Sequence, residues 1–200
     1  MPLTADRMEA FAGLLGHADF GGCFCAVWTH AGPGWGTRCR DAARPNLAAT
    51  RQDVASGRKP GFLVFEGPEL VGWTGAGPRS EFPRLHERLG ARLSDRTDAW
   101  IVGCFALPAA ARGRGLADAI LDGVIARARA EGAGCIEAFP TRPWDEPRSY
   151  RGSEALFLRH GFEEIGAEAD GDSRTVAASG GPGPSLRDRD SQILLMRREL

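Results

Sequence analysis

The order of hydrophobic and polar residues in the first third of the chain predicts two helices with one strand between them. Residues 5–16 carry apolar side chains at helical spacing, so that these side chains would share one buried face. The apolar run 23–28 predicts the first strand. Residues 46–56 return to a helical pattern, and Gly57 is expected to end that helix.

A hairpin is predicted in the next segment. The apolar runs 62–66 and 70–74 flank Gly67-Pro68-Glu69, and these residue types favour a tight turn between paired strands. Residues 84–93 follow with a helical pattern.

A strand–helix–strand unit occupies the centre of the chain. Residues 100–107 are apolar and predict a strand, residues 116–131 carry an apolar stripe at helical spacing, and residues 135–139 predict another strand. Strands joined through a helix run parallel in one sheet, with a right-handed crossover.

The C-terminal part predicts a short helix over 153–160 and strands over 162–165 and 193–196. Residues 167–190 are rich in Gly, Ser, Asp and Pro, which predicts a mobile excursion. The length is that of one ordinary domain, so we expect residues 1–200 to form a single α/β domain.

Charge and hydropathy exclude some classes of partner. The net charge of -1 argues against nucleic acid, because no basic excess is present to neutralise phosphates. The longest apolar runs are too short to span a bilayer, so no membrane partner is expected. Residues 1–6 lack the charged and apolar regions of a signal peptide, which predicts a cytoplasmic protein.

The five cysteines form no recognisable disulfide framework or metal site. Cys104 and Cys135 lie in apolar strands and are interpreted as buried small hydrophobes. Cys23-Phe24-Cys25 is too closely spaced for a usual zinc half-site, and no second pair completes it. We therefore expect no metal.

A glycine-rich loop stands between the strand 100–107 and the helix that follows it. Its residues are Arg112, Gly113, Arg114, Gly115, Leu116 and Ala117. Glycine backbone that opens into a helix directs free N–H groups and the positive end of the helix dipole toward one point, which favours a bound phosphate. Both arginines can also bond phosphate oxygens.

The alternative interpretation of this loop is a tight turn without a ligand. Two known phosphate-binding patterns do not fit it. The third glycine of a dinucleotide fingerprint is replaced by Asp118, and no Gly-Lys-Ser/Thr follows as in a P-loop.

The chain resembles the GCN5-related N-acetyltransferases, the GNAT superfamily, over residues 60–200. One motif of the family, Arg/Gln-x-x-Gly-x-Gly/Ala after an apolar strand, is met by Arg112, Gly115 and Ala117. A second, a short helix followed by a strand, is met by residues 156–166. The pieces Gly72-Trp73 and Pro78-Arg79 resemble a little-characterised bacterial branch of the family.

The resemblance implies a fold and a co-substrate. The fold would be a mixed six- to seven-stranded sheet with splayed central parallel strands and flanking helices, and dimers are usual. Acetyl-CoA would be the acyl donor. The backbone of residues 112–117 would hold its pyrophosphate, and the main chain of Phe105, Ala106 and Leu107 would pair with its pantetheine arm.

The chain departs from the family at the general acid. A Tyr of the second motif often protonates the leaving thiolate, but Phe157 stands in that position and is expected to contact coenzyme A without donating a proton. Tyr150, the one tyrosine of the chain, would substitute if its loop folds inward; the alternative is a packing or solvent-facing side chain.

Glu137 is the candidate general base. It lies in the strand 135–139 that would flank the thioester, where a charged side chain needs a partner or a cleft. In the other interpretation, the alternation of side chains along the strand directs Glu137 toward solvent or toward an arginine. Glu81 and His86 are alternative candidates for the general base.

These features predict an enzyme that moves an acetyl group from acetyl-CoA to the primary amine of a small molecule by direct attack in a ternary complex. One alternative is an acyl-CoA-binding regulatory module with little or no turnover, which Phe157 motivates. Another is a transferase of a larger acyl group.

Overall fold

A mixed six-stranded sheet organises the chain. The computed structural model describes residues 1–30, 41–90, 93–142, 150–165 and 192–200. In that part of the chain the strands are β1 (Phe62–Glu66), β2 (Glu69–Pro78), β3 (Ala99–Ala106), β4 (Cys135–Ala138), β5 (Thr141–Arg142), β6 (Glu163–Glu164), β7 (Gln192–Ile193) and β8 (Met196–Glu199). The main sheet has the order β1-β2-β3-β4-β8-β6, while β5 and β7 pair separately.

Helices cover both faces of this sheet. They are α1 (Met8–Leu15), α2 (Val27–His30), α3 (Ala43–Ala55), α4 (Leu85–Leu89), α5 (Leu116–Ala130) and α6 (Glu154–Arg159). Short 3₁₀ helices lie at Ala5–Arg7, Arg79–Glu81 and Ala109–Ala111. None of the helices within the described ranges is long and apolar enough to cross a membrane.

The two central strands run parallel and then separate. β3 pairs with β4 only from Ala99 to Val102, opposite Cys135 to Ala138. β4 ends there, whereas β3 continues to Ala106 along β2. The second half of β3 therefore has no β4 partner, which confirms the expected splay.

Side-chain alternation along β3 builds a core on each face of the sheet. Ile101 packs with α1, Trp73 and Phe82 on one face. Trp100 and Val102 pack with the apolar stripe of α5 on the other. Each large apolar side chain that is fully buried contributes about 1.5–3 kcal/mol, so the two faces together hold the sheet between its helices.

The predicted helices over 5–16, 46–56, 116–131 and 153–160 and the hairpin at Gly67 are confirmed, with their ends moved by a few residues. In the segment 84–93 only Leu85–Leu89 is helical.

The prediction of a strand over 23–28 is wrong. Phe24 and Cys25 have φ values of 47° and 56°, in the left-handed region, so the chain turns sharply and enters α2 instead. Two polar side chains of α3 hold this turn. Asn46 Nδ2 donates to the Gly22 carbonyl (2.9 Å), and Thr50 Oγ1 donates to the Phe24 carbonyl (2.7 Å).

The prediction of one last strand over 193–196 is wrong in its centre. β7 ends at Ile193 and β8 begins at Met196, because the chain passes from the small ladder to the main sheet there. The Leu194 N–H donates to the Pro140 carbonyl at 2.9 Å. The predicted excursion 167–190 lies outside the described residues.

Candidate active site

A cavity of about 240 Å³ lies between the free end of β3, the glycine-rich loop and α6. Ten residues were predicted from the sequence to bind coenzyme A. Seven of them line this cavity, namely Phe105, Leu107, Arg112, Gly113, Gly115, Leu116 and Ala117. The other three, Ala106, Arg114 and Phe157, do not. The two sequence motifs thus meet in one cavity, because Leu156 and Arg159 of the second motif form its opposite wall.

The glycine-rich loop presents free backbone donors to this cavity. Gly113 and Gly115 have φ values of 70° and 75°, which only glycine adopts without strain. Gly115 is the N-cap of α5 and has no side chain to cap the helix. The first bond of the helix is donated by the Ala119 N–H to the Gly115 carbonyl, so the N–H groups of Leu116 and Ala117 have no partner within the helix. Together with the helix dipole, they make an anion-binding site.

The two arginines of the loop have different positions. Arg112 lines the cavity, and its Nε donates to the Leu107 carbonyl at 3.0 Å, which ties the loop to the end of β3. Arg114 instead pairs with Glu66 at the β1–β2 hairpin, with 2.6 Å between Nη2 and Oε2. The acidic hairpin end attracts this side chain, so the structure does not bring Arg114 into the site.

An ion pair that was not identified from the sequence stands in the cavity wall. Asp118 of α5 and Arg159 of α6 both line the cavity, and Arg159 Nη2 lies 2.9 Å from Asp118 Oδ1. His160 Nε2 is 3.1 Å from the same oxygen. The hydrogen bond from Arg159 lowers the pKa of Asp118, and the bond from His160 lowers it further. The negative charge of Asp118 at the cavity wall is thereby compensated by the Arg159 guanidinium.

A bulge in β3 decides which side chain faces the cavity. Gly75 of β2 pairs with Cys104, but the next residue, Ala76, pairs with Val102, so Gly103 is the extra residue. One extra residue reverses the alternation of side chains. Phe105 therefore joins the α5 face and the cavity, while Cys104 packs on the opposite face.

Tyr150 closes the free end of β3. The Phe105 N–H, a donor expected to pair with pantetheine, donates to the Tyr150 carbonyl at 2.5 Å. The Tyr150 hydroxyl donates to the Asp19 carbonyl at 2.8 Å, and Asp19 Oδ2 accepts the Ala109 N–H at 3.0 Å. Tyr150 itself lines the cavity. Asp19 was missed because no pattern in the sequence marks it.

Phe157 and Ala106 lie behind the cavity wall. Phe157 is fully buried, and its ring centre lies 6.2 Å from that of Phe105 and 5.2 Å from that of Phe162. Ala106 is buried on the opposite face of the sheet. The second motif therefore places an aromatic support under Phe105 rather than a group in the cavity.

Glu137 is buried and engaged by cations away from the cavity. Its Oε1 accepts hydrogen bonds from Ser94 Oγ and from Arg197 Nη2, the latter at 2.9 Å, and Arg79 Nη1 lies 3.8 Å from its Oε2. In the described residues Oε2 accepts no hydrogen bond. This arrangement anchors the segment that carries Arg79 and Ser94 to the sheet, as in the interpretation that places an arginine opposite Glu137.

The alternative bases do not line the cavity either. Glu81 Oε2 accepts the Lys59 N–H at 2.9 Å, and His86 is exposed.

Comparisons with known proteins agree on a family. The model of the acetyltransferase (GNAT) family matches residues 26–162, which is more than half of the chain. No curated protein matches the sequence.

Solved structures of N-acetyltransferases share the fold. The ribosomal-protein-alanine N-acetyltransferase of Brucella melitensis superposes with a TM-score of 0.56 at 15% identity, covering 100% of this chain and 98% of that chain. An N-acetyltransferase of Staphylococcus aureus Mu50 gives 0.52 at 15% identity, covering 100% and 95%. The PaiA N-acetyltransferase of Thermoplasma acidophilum, in complex with coenzyme A, gives 0.51 at 8% identity, covering 99% and 96%.

Proposed function

Because the chain belongs to the acetyltransferase (GNAT) family, and is thus an N-acetyltransferase that uses acyl-CoA, we propose that it transfers the acetyl group of acetyl-CoA to the primary amine of a small molecule. The transfer is a direct attack by the amine within a ternary complex. The observation that carries this proposal is the cavity that is lined both by Leu116 and Ala117, at the start of α5, and by the end of β3 that extends beyond β4.

The anionic part of the donor fits the α5 end of the cavity. A pyrophosphate there can accept hydrogen bonds from the backbone N–H groups of Leu116 and Ala117 and from the guanidinium of Arg112. Arg159, already held by Asp118, adds a second cation across the cavity. The donor's phosphates are thus met by backbone dipoles and full charges together.

The pantetheine arm would follow the free end of β3. The bond between the Phe105 N–H and the Tyr150 carbonyl shows that this strand position needs an acceptor, since an unpaired buried donor is costly. In the proposal, a pantetheine carbonyl replaces the Tyr150 carbonyl as acceptor. The thioester then lies at the splay between β3 and β4, where the strand backbone near Phe105 stabilises the oxyanion.

Tyr150 is the proposed general acid. Tyr150 lines the cavity, in a chain where Phe157 occupies the position of the usual tyrosine. As the amine nitrogen bonds to the acyl carbon, the carbon–sulfur bond breaks and the departing thiolate takes the hydroxyl proton. A thiol has a pKa of about 8.5, so it leaves readily and this proton transfer is a modest aid.

Binding and turnover together test the proposal. Gly115 and Gly132 both have positive φ, lie at opposite ends of α5, and have open space around an added Cβ. We expect Gly115→Trp to abolish micromolar binding of acetyl-CoA in calorimetry, because the indole would fill the cavity. Gly132→Trp imposes the same backbone strain away from the cavity and should retain binding. Equal affinities of the two variants would refute the assignment of the donor site.

The acceptor and the acyl group are tested by thiol release. Acetyl-CoA is incubated with panels of small amines and of peptides with free N-termini, and release is followed with a dithiobis reagent; succinyl-CoA and malonyl-CoA are run in competition. Turnover with small amines supports the proposal. Binding without any turnover would favour the second candidate, an acyl-CoA-binding module, which the phenylalanine at position 157 motivates.

A further inference from the structure

Two thiols meet on the face of the sheet opposite the cavity. Cys25 Sγ lies 3.3 Å from Cys104 Sγ, although the two residues are 79 positions apart in the chain. Both are free thiols, Cys25 buried and Cys104 half-buried. Neither has a part in the acetyl transfer proposed above.

The local backbone is shaped to bring these sulfurs together. Cys25 is the second residue of the left-handed turn that Asn46 and Thr50 of α3 hold in place. A non-glycine residue keeps such a conformation only where the surroundings impose it, and strain of this kind concentrates at functional positions.

The neighbouring strand β2 also leaves room for the two cysteine side chains. An added Cβ at Gly75 would lie 2.9 Å from Cys104 Sγ and 3.3 Å from Cys25 Sγ, so only glycine leaves this space open. The bulge at Gly103 turns Cys104 toward Cys25 and away from the cavity. Three separate elements thus converge on one sulfur–sulfur contact.

The two thiols are chemically unequal. The Trp73 indole N–H donates to Cys25 Sγ at 3.0 Å, and a hydrogen bond between the two sulfurs, in which either can be the donor, links Cys25 to Cys104. This hydrogen bond lowers the pKa of Cys104, and it raises the pKa of Cys25 together with burial. Cys104 is half-buried whereas Cys25 is buried, so a reagent reaches Cys104 first; Cys104 is therefore the nucleophile of the pair and Cys25 is the thiol that resolves it.

We propose that Cys25 and Cys104 are a redox-active pair, which a hydroperoxide converts to a disulfide and a dithiol reductant restores. The Cys104 thiolate attacks one peroxide oxygen, the O–O bond breaks, and the leaving oxyanion takes a proton as water or alcohol. Cys104 is then a sulfenic acid. The Cys25 sulfur attacks the Cys104 sulfur, its proton leaves with the hydroxyl as a second water, and the S–S bond forms. The thiols lose two electrons, which the peroxide accepts.

The structural change that this step needs is small. A disulfide has a sulfur–sulfur distance of about 2.05 Å, so the two sulfurs must approach by about 1.2 Å. Rotation of two short side chains, with adjustment of the turn at Phe24, supplies such a displacement.

Peptide mapping of the oxidised protein tests the pair directly. The folded chain is treated with hydrogen peroxide, alkylated with N-ethylmaleimide in denaturant and digested with trypsin without reduction. Cleavage after arginine places Cys104 in peptide 97–112 and Cys25, with Cys23, in peptide 8–38. We expect these two peptides joined, at a mass two hydrogens below the sum of peptide 97–112 and peptide 8–38 with one N-ethylmaleimide adduct on Cys23, and separated after dithiothreitol.

Single variants identify the sulfurs and provide the control. Cys104→Ser and Cys25→Ser should abolish the joined peptides, whereas Cys23→Ser should retain them. Cys135→Ser is a matched control, because Cys135 is buried in β4 and its pKa is raised by that burial. If peroxide leaves Cys25 and Cys104 of the wild type open to alkylation, or joins peptide 97–112 through Cys23, the proposal is overturned. No step of this test depends on acetyl transfer.

Discussion

Asp118 and Arg159 pair across the wall of the donor cavity, with 2.9 Å between Asp118 Oδ1 and Arg159 Nη2. Asp118 lies in the first turn of α5, directly after the glycine-rich loop, and Arg159 belongs to the second sequence motif, in the short helix α6. The pair therefore links α5 to α6, and in the proposed complex it sets the charge that the phosphates of acetyl-CoA meet.

Removal of the Arg159 guanidinium alone should weaken the binding of acetyl-CoA more than removal of the charges of both Arg159 and Asp118. Arg159→Ala leaves the Asp118 carboxylate facing the phosphates, and we expect acetyl-CoA affinity to fall about tenfold, or about 1.4 kcal/mol. Asp118→Asn in the same chain removes that repulsion and should recover part of the loss. Calorimetric dissociation constants of the two single variants and the double variant measure the coupling. An unchanged affinity in Arg159→Ala would contradict this account of the cavity wall.

The ion pair between Asp118 and Arg159 should also make the stability of the fold depend on pH in the acidic range. The pKa of Asp118 is lowered in the folded protein, by Arg159 first and His160 second. A carboxyl with a depressed pKa stabilises the fold above its ordinary value of 3.8, and that stabilisation is lost as pH falls through the lower folded value. Asp118→Asn should therefore unfold at a lower temperature than the wild type at pH 7. The difference should disappear well below pH 4, and a difference that persists at pH 2 would refute the assignment.

The glycine-rich loop and the start of α5 were predictable because their determinants are local. Gly113 and Gly115 adopt the left-handed backbone that their residue type permits, and the helix starts directly after them. The turn at Phe24 and Cys25 was not predictable in the same way. Its residue types favour a strand, and the conformation follows from bonds to Asn46 and Thr50, which lie more than twenty positions away.

The polar residues also divide into those that the local sequence indicates and those that only long-range contacts define. Glu137 was interpreted from the sequence either as the general base or as a side chain facing solvent or an arginine, and its contacts are with Arg79 and Arg197, which lie on other segments of the chain. Asp19 was missed because its contacts to Ala109 and Tyr150 arise only from packing of distant segments. The sequence therefore predicts the elements and the glycine-rich loop, whereas long-range contacts determine the surroundings of Glu137 and Tyr150.

Two glycine-to-alanine changes should have opposite effects on stability. An added Cβ at Gly103 would lie 2.9 Å from the buried Trp28 ring, so Gly103→Ala should destabilise by about 1–3 kcal/mol. Gly123 is an exposed position within α5 with open space around an added Cβ, and Gly123→Ala should stabilise by about 0.5–1 kcal/mol. Urea unfolding measures both. Equal effects would mean that the bulge tolerates a side chain.

Glu137 is expected to matter for stability. Glu137→Ala leaves two buried or half-buried arginines without their shared partner, and loss of one member of a buried ion pair costs about 3–5 kcal/mol. Glu137→Gln keeps the shape and should cost less. If Glu137 were the general base, Glu137→Gln would remove the acidic limb of the pH–kcat profile at little cost in stability. We expect instead that the profile keeps its shape while the unfolding midpoint falls.

Tyr150→Phe separates proton donation from packing. The backbone of residue 150 and the bond from the Phe105 N–H to its carbonyl are unchanged, so acetyl-CoA affinity should change little. The hydroxyl bond to the Asp19 carbonyl is lost, which costs about 1 kcal/mol of stability. General acids contribute about 10²–10⁴-fold, and a thiolate leaves easily, so we expect kcat to fall about a hundredfold. The basic limb of the pH–kcat profile should disappear with it. A fall in melting temperature with kcat intact would show that Tyr150 only closes the end of β3.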